Sequence, residues 1–308
     1  MNSISFILNL PSKGLECKNV KILTDNAANF TTAEEKILGV SIAPLYIHFP
    51  GDDKVTDATK ISPDDFYERL KAMKPKIPTT SQPSSGLFKD MYEKLAKTGE
   101  KILSIHISEG LSGTIQSARL GAKQAQNADV TIFDSMTLSG GQRFQAMAAA
   151  LASKAGWAME PISERLREIR DKVEVVYALD TLEYLAHGGR IGRVQSLLSS
   201  VLHIKPIIHV DKADGKYSTL AKARTLRRSI SMMVDHIESL YPQNTSLWVT
   251  VLHGQLSQDA ENMLALLKER LNIERSEIIR VTPVLGVHTG PGIIGVAALP
   301  MSLMSDLL

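Results

Sequence analysis

Cysteine is almost missing from this sequence: Cys17 is the only one in 308 residues. A lone thiol closes no disulfide framework and builds no cysteine-rich metal site, and such a chain suits a reducing compartment. An excess of one charge is also missing. The 35 basic and 33 acidic residues leave a net charge of +2, without a long basic run, which excludes an electrostatic nucleic-acid footprint. No stretch approaches the roughly 18 apolar residues of a membrane span, so stable membrane insertion is not expected. The opening MNSISFILNLPSKG has an apolar run of only about seven residues and no basic flank, unlike a signal peptide. The eight histidines show no H-x-x-x-H or H-E-x-x-H spacing, and neither G-x-G-x-x-G nor a Walker A pattern occurs. What is present is a 44% hydrophobic chain with ample core for one large domain or two ordinary ones. These exclusions predict a soluble cytoplasmic α/β protein without metal or cofactor.

Short apolar runs alternate with helical patterns. NVKILTD (19–25) reads as a strand leading into AANFTTAEEKILGV, where Thr32 and Glu35 fit a capping box and Gly39 a helix stop. VSIAPLYIHF (40–49) reads as one further strand. ISPDDFYERLKAMK places Ser62 as N-cap and Pro63 at the first helical position. TTSQPSSG (79–86) reads as a polar loop entering a helix, and KILSIHIS (101–108) and DVTIFDS (129–135) as buried strands. A long alanine-rich helix is expected over about 138–156. This order predicts a parallel sheet flanked by helices. After about residue 170 the rhythm changes. VEVVYAL reads as a strand, and KPIIHV and KYSTLAKA flank DKADG as a hairpin. Helices at 224–241 and 257–271 enclose the strand LWVTVLHG. The expected organisation is an N-terminal extension (1–18), an N-terminal α/β domain (19–170) and a smaller C-terminal α/β domain with a mixed sheet (171–308). PVLGVHTGPGII (283–294) sets His288 among three glycines and a proline, which predicts a tight loop.

Three hydroxyl-rich loops precede helices: 79–86, 108–114 and 134–141. A helix N-terminus with free N–H groups and nearby hydroxyls favours an anion, although serine and threonine also cap helices routinely. Ser112, either Asp134 or Asp180, and His288 follow the chain order of an α/β-hydrolase triad, but GLSGT lacks the second glycine of G-x-S-x-G. GGRIGR (188–193) reads equally as a phosphate-gripping loop or a surface turn.

TSQPS (80–84), LSGT with QSA (111–118), DS with SGG (134–141), LEYLAHGGRIGR (182–193), KPI (205–207) and GVHTGPG (286–292) occur in this order. Together they closely resemble the DegV family of bacterial fatty-acid-binding proteins, over roughly residues 20–300. The resemblance implies two α/β domains with a long-chain acyl ligand between them. It also implies a non-catalytic role as the binding subunit of a fatty acid kinase, whose separate ATP-binding subunit makes an acyl phosphate for phospholipid synthesis. Carried over by motif, Thr80, Ser112, Gly113 and His288 would hold the fatty-acid carboxylate, with Ser81, Arg224 and Gly290 in support. Arg190 would engage the kinase. Gly286, Gly290 and Gly292 would let backbone approach the ligand, and the apolar residues of 196–210 could line its slot. The sequence departs from the family at DNAANF (25–30), where Asn26 and Asn29 stand in place of serine and aspartate.

Overall fold

The computed structural model describes residues 20–197 and 204–308. The expected N-terminal extension and the middle of the expected slot-lining segment lie outside these residues. The chain divides into two compact units. One contains the described residues up to Pro44, Gln82–Lys172 and Ser302–Leu308; the other contains Leu45–Ser81 and Val173–Met301. One division between the units falls between Lys172 and Val173, and Leu45–Ser81 belongs to the second unit although it precedes most of the first.

The first unit opens with β1 (Lys21–Asp25), α1 (Thr32–Leu38) and β2 (Val40–Ala43). The capping box lies one residue earlier than the sequence spacing implied. Thr31 is the N-cap and Glu34 its reciprocal partner, and Gly39 closes the helix at φ 71° as expected. The expected strand over 40–49 is two strands in different units. Pro44, which lacks an N–H for a ladder, separates β2 from β3 (Tyr46–His48). β3 pairs antiparallel with β4 (Thr56–Asp57). After α2 (Pro63–Ala72), which starts at Ser62 and Pro63 as the sequence indicated, β3 also pairs with β5 (Thr79–Ser81). The segment expected to be a polar loop therefore begins as an edge strand of a small three-stranded sheet.

Back in the first unit come α3 (Ser85–Leu95), β6 (Ile102–His106), α4 (Thr114–Gln124), β7 (Val130–Asp134), α5 (Ser139–Lys154) and α6 (Met159–Lys172). Its four strands form a parallel sheet in the order β2-β1-β6-β7. Leu23, Phe88, Tyr92, Ile102 and Ala118 share one core beneath α3 and α4. α5 is buried along nearly its whole length, its alanines allowing close packing on all sides. Arg143 on α5 is 1% exposed and forms a two-pronged ion pair with Glu34, with Nη1 donating to Oε2 at 3.1 Å. Burial opposes ionisation of Glu34, but the hydrogen bonds and charge of Arg143, with those of Thr31, hold its carboxyl below the usual range.

The second unit continues with β8 (Glu174–Ala178), α7 (Glu183–His187), β9 (Lys205–Val210), β10 (Tyr217–Ala223), α8 (Leu226–Leu240), β11 (Leu247–His253), α9 (Ser257–Arg270), β12 (Ile273–Arg280), α10 (Pro283–Thr289) and β13 (Ile294–Pro300). Its six-stranded sheet has the order β10-β9-β8-β13-β11-β12. All neighbours are antiparallel except β11 and β12, so the sheet is mixed as expected. Val176, Ile207, Val249, Val251 and Val296 of the sheet form a core with Met233 and Ile237 of α8 and Met263 of α9.

The expected tight loop at 283–294 is the short helix α10 followed by a glycine turn. Pro283 suits the first helical turn, where its missing N–H has no partner to lose. Gly286 weakens the helix intrinsically, but a β-carbon there would stand 2.6 Å from the Phe66 ring and 2.8 Å from the Tyr67 hydroxyl of α2. Tertiary packing therefore overrides propensity and requires the glycine. No helix among the described residues is long and apolar enough to cross a membrane.

Candidate functional site

The packing of α10 against α2, α7, β3 and β5 places its last turn beside the small sheet. Thr80 of β5 is opposite the buried Ile47, and its Oγ1 lies 2.7 Å from His288 Nε2. These two residues are 208 positions apart in the chain. Ser81 follows Thr80 in an extended strand, so its side chain turns to the other face. There Ser81 Oγ meets His48 Nε2 at 2.7 Å.

The other ring nitrogen of His288 has a different environment. Nδ1 is buried and has no hydrogen-bond partner among the described residues. It rests against Gly188, just past α7. A β-carbon at position 188 would stand 2.7 Å from the ring's Cε1 and would overlap Nδ1 outright. Gly188 is itself fixed: its N–H donates to the Tyr184 carbonyl at 3.0 Å, and its carbonyl accepts from Arg190 Nη1 at 2.6 Å. Desolvation, with the nearby Arg190 and His187 charges, drives the His288 pKa down to about 3. At neutral pH the ring is an uncharged imidazole that can serve as a hydrogen-bond donor or acceptor.

Arg190 is half-buried and curls back onto the end of α7. Arg224 is exposed between β10 and α8. The glycines expected to make room for a ligand face protein side chains: Gly286 meets Phe66 and Tyr67, Gly290 meets the Tyr184 ring, and Gly292 meets Asp180.

Ser112 and Gly113 belong to the first unit, at the start of α4. Ser112 Oγ lies 2.8 Å from Thr114 Oγ1 and accepts from the Thr114 N–H at 3.3 Å. Gly113 is the N-cap, and a β-carbon there would come within 3.0 Å of Gln82 Nε2. Asn29, one of the two departures from the family pattern, adopts φ 59° after a short 3-10 turn. Asparagine tolerates this left-handed conformation. Its Oδ1 accepts from Ser139 Oγ at 3.1 Å, and its carbonyl from Arg143 Nη1 at 3.2 Å.

The residues considered for a hydrolase triad have other partners. Asp134 accepts from the Met136 N–H at 2.8 Å, and Asp180 is ion-paired with Lys205. A serine–histidine–aspartate chain that sequence reasoning missed does occur in the first unit. Ser104 Oγ, His106 Nε2 and Nδ1, and Asp25 Oδ2 are joined by contacts of 2.7 and 2.9 Å, and Tyr92 extends the chain. All four residues are fully buried, so the chain satisfies polar groups in the core and offers no nucleophile to a substrate. Its only sequence signal was the alternation of Ser104 and His106 on one face of a strand. Among the described residues no group of three or more histidine, cysteine or acidic side chains is arranged to hold a metal.

The chain matches the family model described as "Uncharacterised protein, DegV family" over residues 19–301. It is 36% identical over 261 residues to a DegV domain-containing protein of Deinococcus radiodurans, covering 85% of this chain and 89% of that one. Among solved structures it resembles a fatty-acid-binding DegV family protein from Thermus thermophilus, with a TM-score of 0.84 and 26% identity. That match covers 92% of this chain and 99% of the other. It also resembles DegV, a fatty acid binding protein from Bacillus subtilis, with a TM-score of 0.83, 28% identity and the same coverages.

Proposed function

The chain belongs to the DegV family, and from that premise we propose that it binds a long-chain fatty acid and presents the carboxylate to a separate ATP-dependent kinase subunit. The observation that carries the head-group assignment is the Thr80–His288 contact. It joins the TSQPS and GVHTGPG motifs through a hydroxyl and an uncharged imidazole. Fatty-acid binding by the Thermus thermophilus and Bacillus subtilis relatives supports the choice of ligand. Ser112 and the Gly113 amide are further proposed carboxylate donors, on the LSGT motif alone. Arg190 is proposed to face the kinase on the same kind of evidence.

The chemistry divides between tail and head. Each buried CH₂ of a fatty acid contributes about 0.8 kcal/mol, so a chain of about sixteen carbons derives most of its gross affinity from the tail. A hydrogen bond to a charged carboxylate contributes about 1.5–3 kcal/mol. The head group thus fixes orientation more than total affinity, as a protein that hands its ligand to another enzyme requires. A hydrolase reading has less support, because a triad histidine needs a carboxylate on Nδ1 and that atom of His288 meets Gly188.

Native mass spectrometry of the protein purified from cells, followed by addition of the kinase subunit and ATP, tests the proposal. A co-purifying acyl chain that is converted to acyl phosphate is expected. The absence of any acyl ligand, together with no uptake of added fatty acid, would overturn the binding assignment. Binding without phosphorylation would remove the kinase part and leave a carrier.

A further inference from the structure

The Thr80–His288 hydrogen bond can run in either direction, and the surroundings of Nδ1 decide which. Gly188 offers that atom neither an acceptor nor a polar donor: its N–H is committed to Tyr184, and its carbonyl, which accepts from Arg190, makes no hydrogen bond with Nδ1. What faces Nδ1 is the Cα–H group of Gly188, polarised by the peptides on both sides. A nitrogen lone pair meets such a group favourably, whereas an N–H in that place would be a buried donor with no acceptor. The ring proton therefore belongs on Nε2, from which it is donated to Thr80 Oγ1.

If the imidazole donates, Thr80 accepts, and its own hydroxyl proton must point elsewhere. His288 is only 9% exposed, while Thr80 is half-buried and so is the accessible end of the pair. We propose that Gly188 is a positioning residue that fixes His288 as the Nε2–H tautomer, and that this makes the Thr80 hydroxyl an obligatory outward donor. The pair would then favour a ligand that accepts a hydrogen bond, such as a carboxylate. His288 would act on the ligand through Thr80. This inference rests on the fatty-acid reading for the identity of the ligand, but not for the tautomer.

Two-bond ¹H–¹⁵N correlation on the wild-type protein with ¹⁵N-histidine, the His288 signals being assigned by their loss in His288→Gln, reads the tautomer directly. Protonated Nε2 with bare Nδ1 at pH 7 is expected; protonated Nδ1 or an imidazolium overturns the proposal. The paired variants give a second readout. Glutamine places an N–H donor near the Nε2 position and asparagine near Nδ1, so His288→Gln is expected to keep oleate binding within roughly three-fold. His288→Asn and Gly188→Ala are expected to weaken it at least roughly ten-fold. Equal losses in the glutamine and asparagine variants would overturn the proposed direction of donation. The failures separate cleanly. An Nε2–H tautomer in a protein that binds no oleate sinks the fatty-acid reading alone, whereas oleate binding with an Nδ1–H ring sinks this inference alone.

Discussion

Tyr67 Oη donates a hydrogen bond to the main-chain carbonyl of Val281, 3.3 Å away and 214 residues later in the chain. Complete burial pushes this phenol's pKa well up, so it remains a donor throughout the working pH range. The bond ties α2 to the residue pair that precedes α10, while Gly286 lets the body of that helix settle on the same tyrosine. Tyr67→Phe should lower stability by about 1 kcal/mol, the usual net contribution of one hydrogen bond. Gly286→Ala must displace Phe66 or Tyr67 and should cost about 1–3 kcal/mol. Urea denaturation measures both. Fatty-acid binding should weaken more in Gly286→Ala, because only that change shifts the helix carrying His288.

Thr80→Val keeps the shape of the side chain and removes its hydroxyl. Fatty-acid binding should fall roughly ten-fold, in line with the loss of one hydrogen bond to a charged group. Binding measured by displacement of a fluorescent fatty acid checks this. Unchanged affinity would remove Thr80 from the site.

Acid should destabilise the protein over two windows. Folding lowers the His288 pKa from 6.5 to about 3 through desolvation and the Arg190 and His187 charges. The unfolded chain then binds a proton that the folded chain refuses, so this contribution is whole above about pH 6.5 and is lost as pH falls toward 3. Glu174 has its pKa lowered from 4.5 to about 2; burial opposes this, but hydrogen bonds from His209 and His236 and the Lys212 charge outweigh it. Its contribution is present above about pH 4.5 and is lost between there and 2. Glu174→Gln should flatten the lower window and leave the upper one. Denaturation midpoints taken from pH 7 to 2 distinguish the two.

The Arg143–Glu34 pair is nearly sealed from solvent, so removing one charge strands the other. Glu34→Gln or Arg143→Met alone should cost about 3–5 kcal/mol, and the two changes together, which leave no unpaired charge, should recover much of the loss. A double-mutant cycle in urea supplies the coupling energy.

Much of the framework was legible because it rests on local signals. Ser62 followed by Pro63 marked the start of α2, DKADG marked the hairpin between β9 and β10, and unbroken apolar runs marked β1 and β6. The capping box slipped by one residue because consecutive threonines, Thr31 and Thr32, are each followed three positions later by a glutamate. The harder failures were non-local. Nothing within TTSQPSSG says that β3 lies alongside it, and nothing within GVHTGPG says that Phe66 and Tyr67 occupy the space a side chain at 286 would need. The motifs identified Thr80 and His288 as site candidates. Gly188 carried no such signal, since GGR reads as a turn until the imidazole is seen against its Cα.

The segment Leu45–Ser81 belongs to a unit whose remaining residues follow more than ninety positions later, from Val173 to Met301. On the ribosome, β5 is made long before anything it will serve. Thr80 must wait for 208 further residues before its imidazole partner exists, by which time the first unit's parallel sheet has been fully synthesised. Such long-range closures are entropically slow. The site is therefore among the last features that synthesis can complete, and a nascent chain halted before α10 would carry the first unit's parallel sheet, still without Ser302–Leu308, and no means of orienting a carboxylate at Thr80.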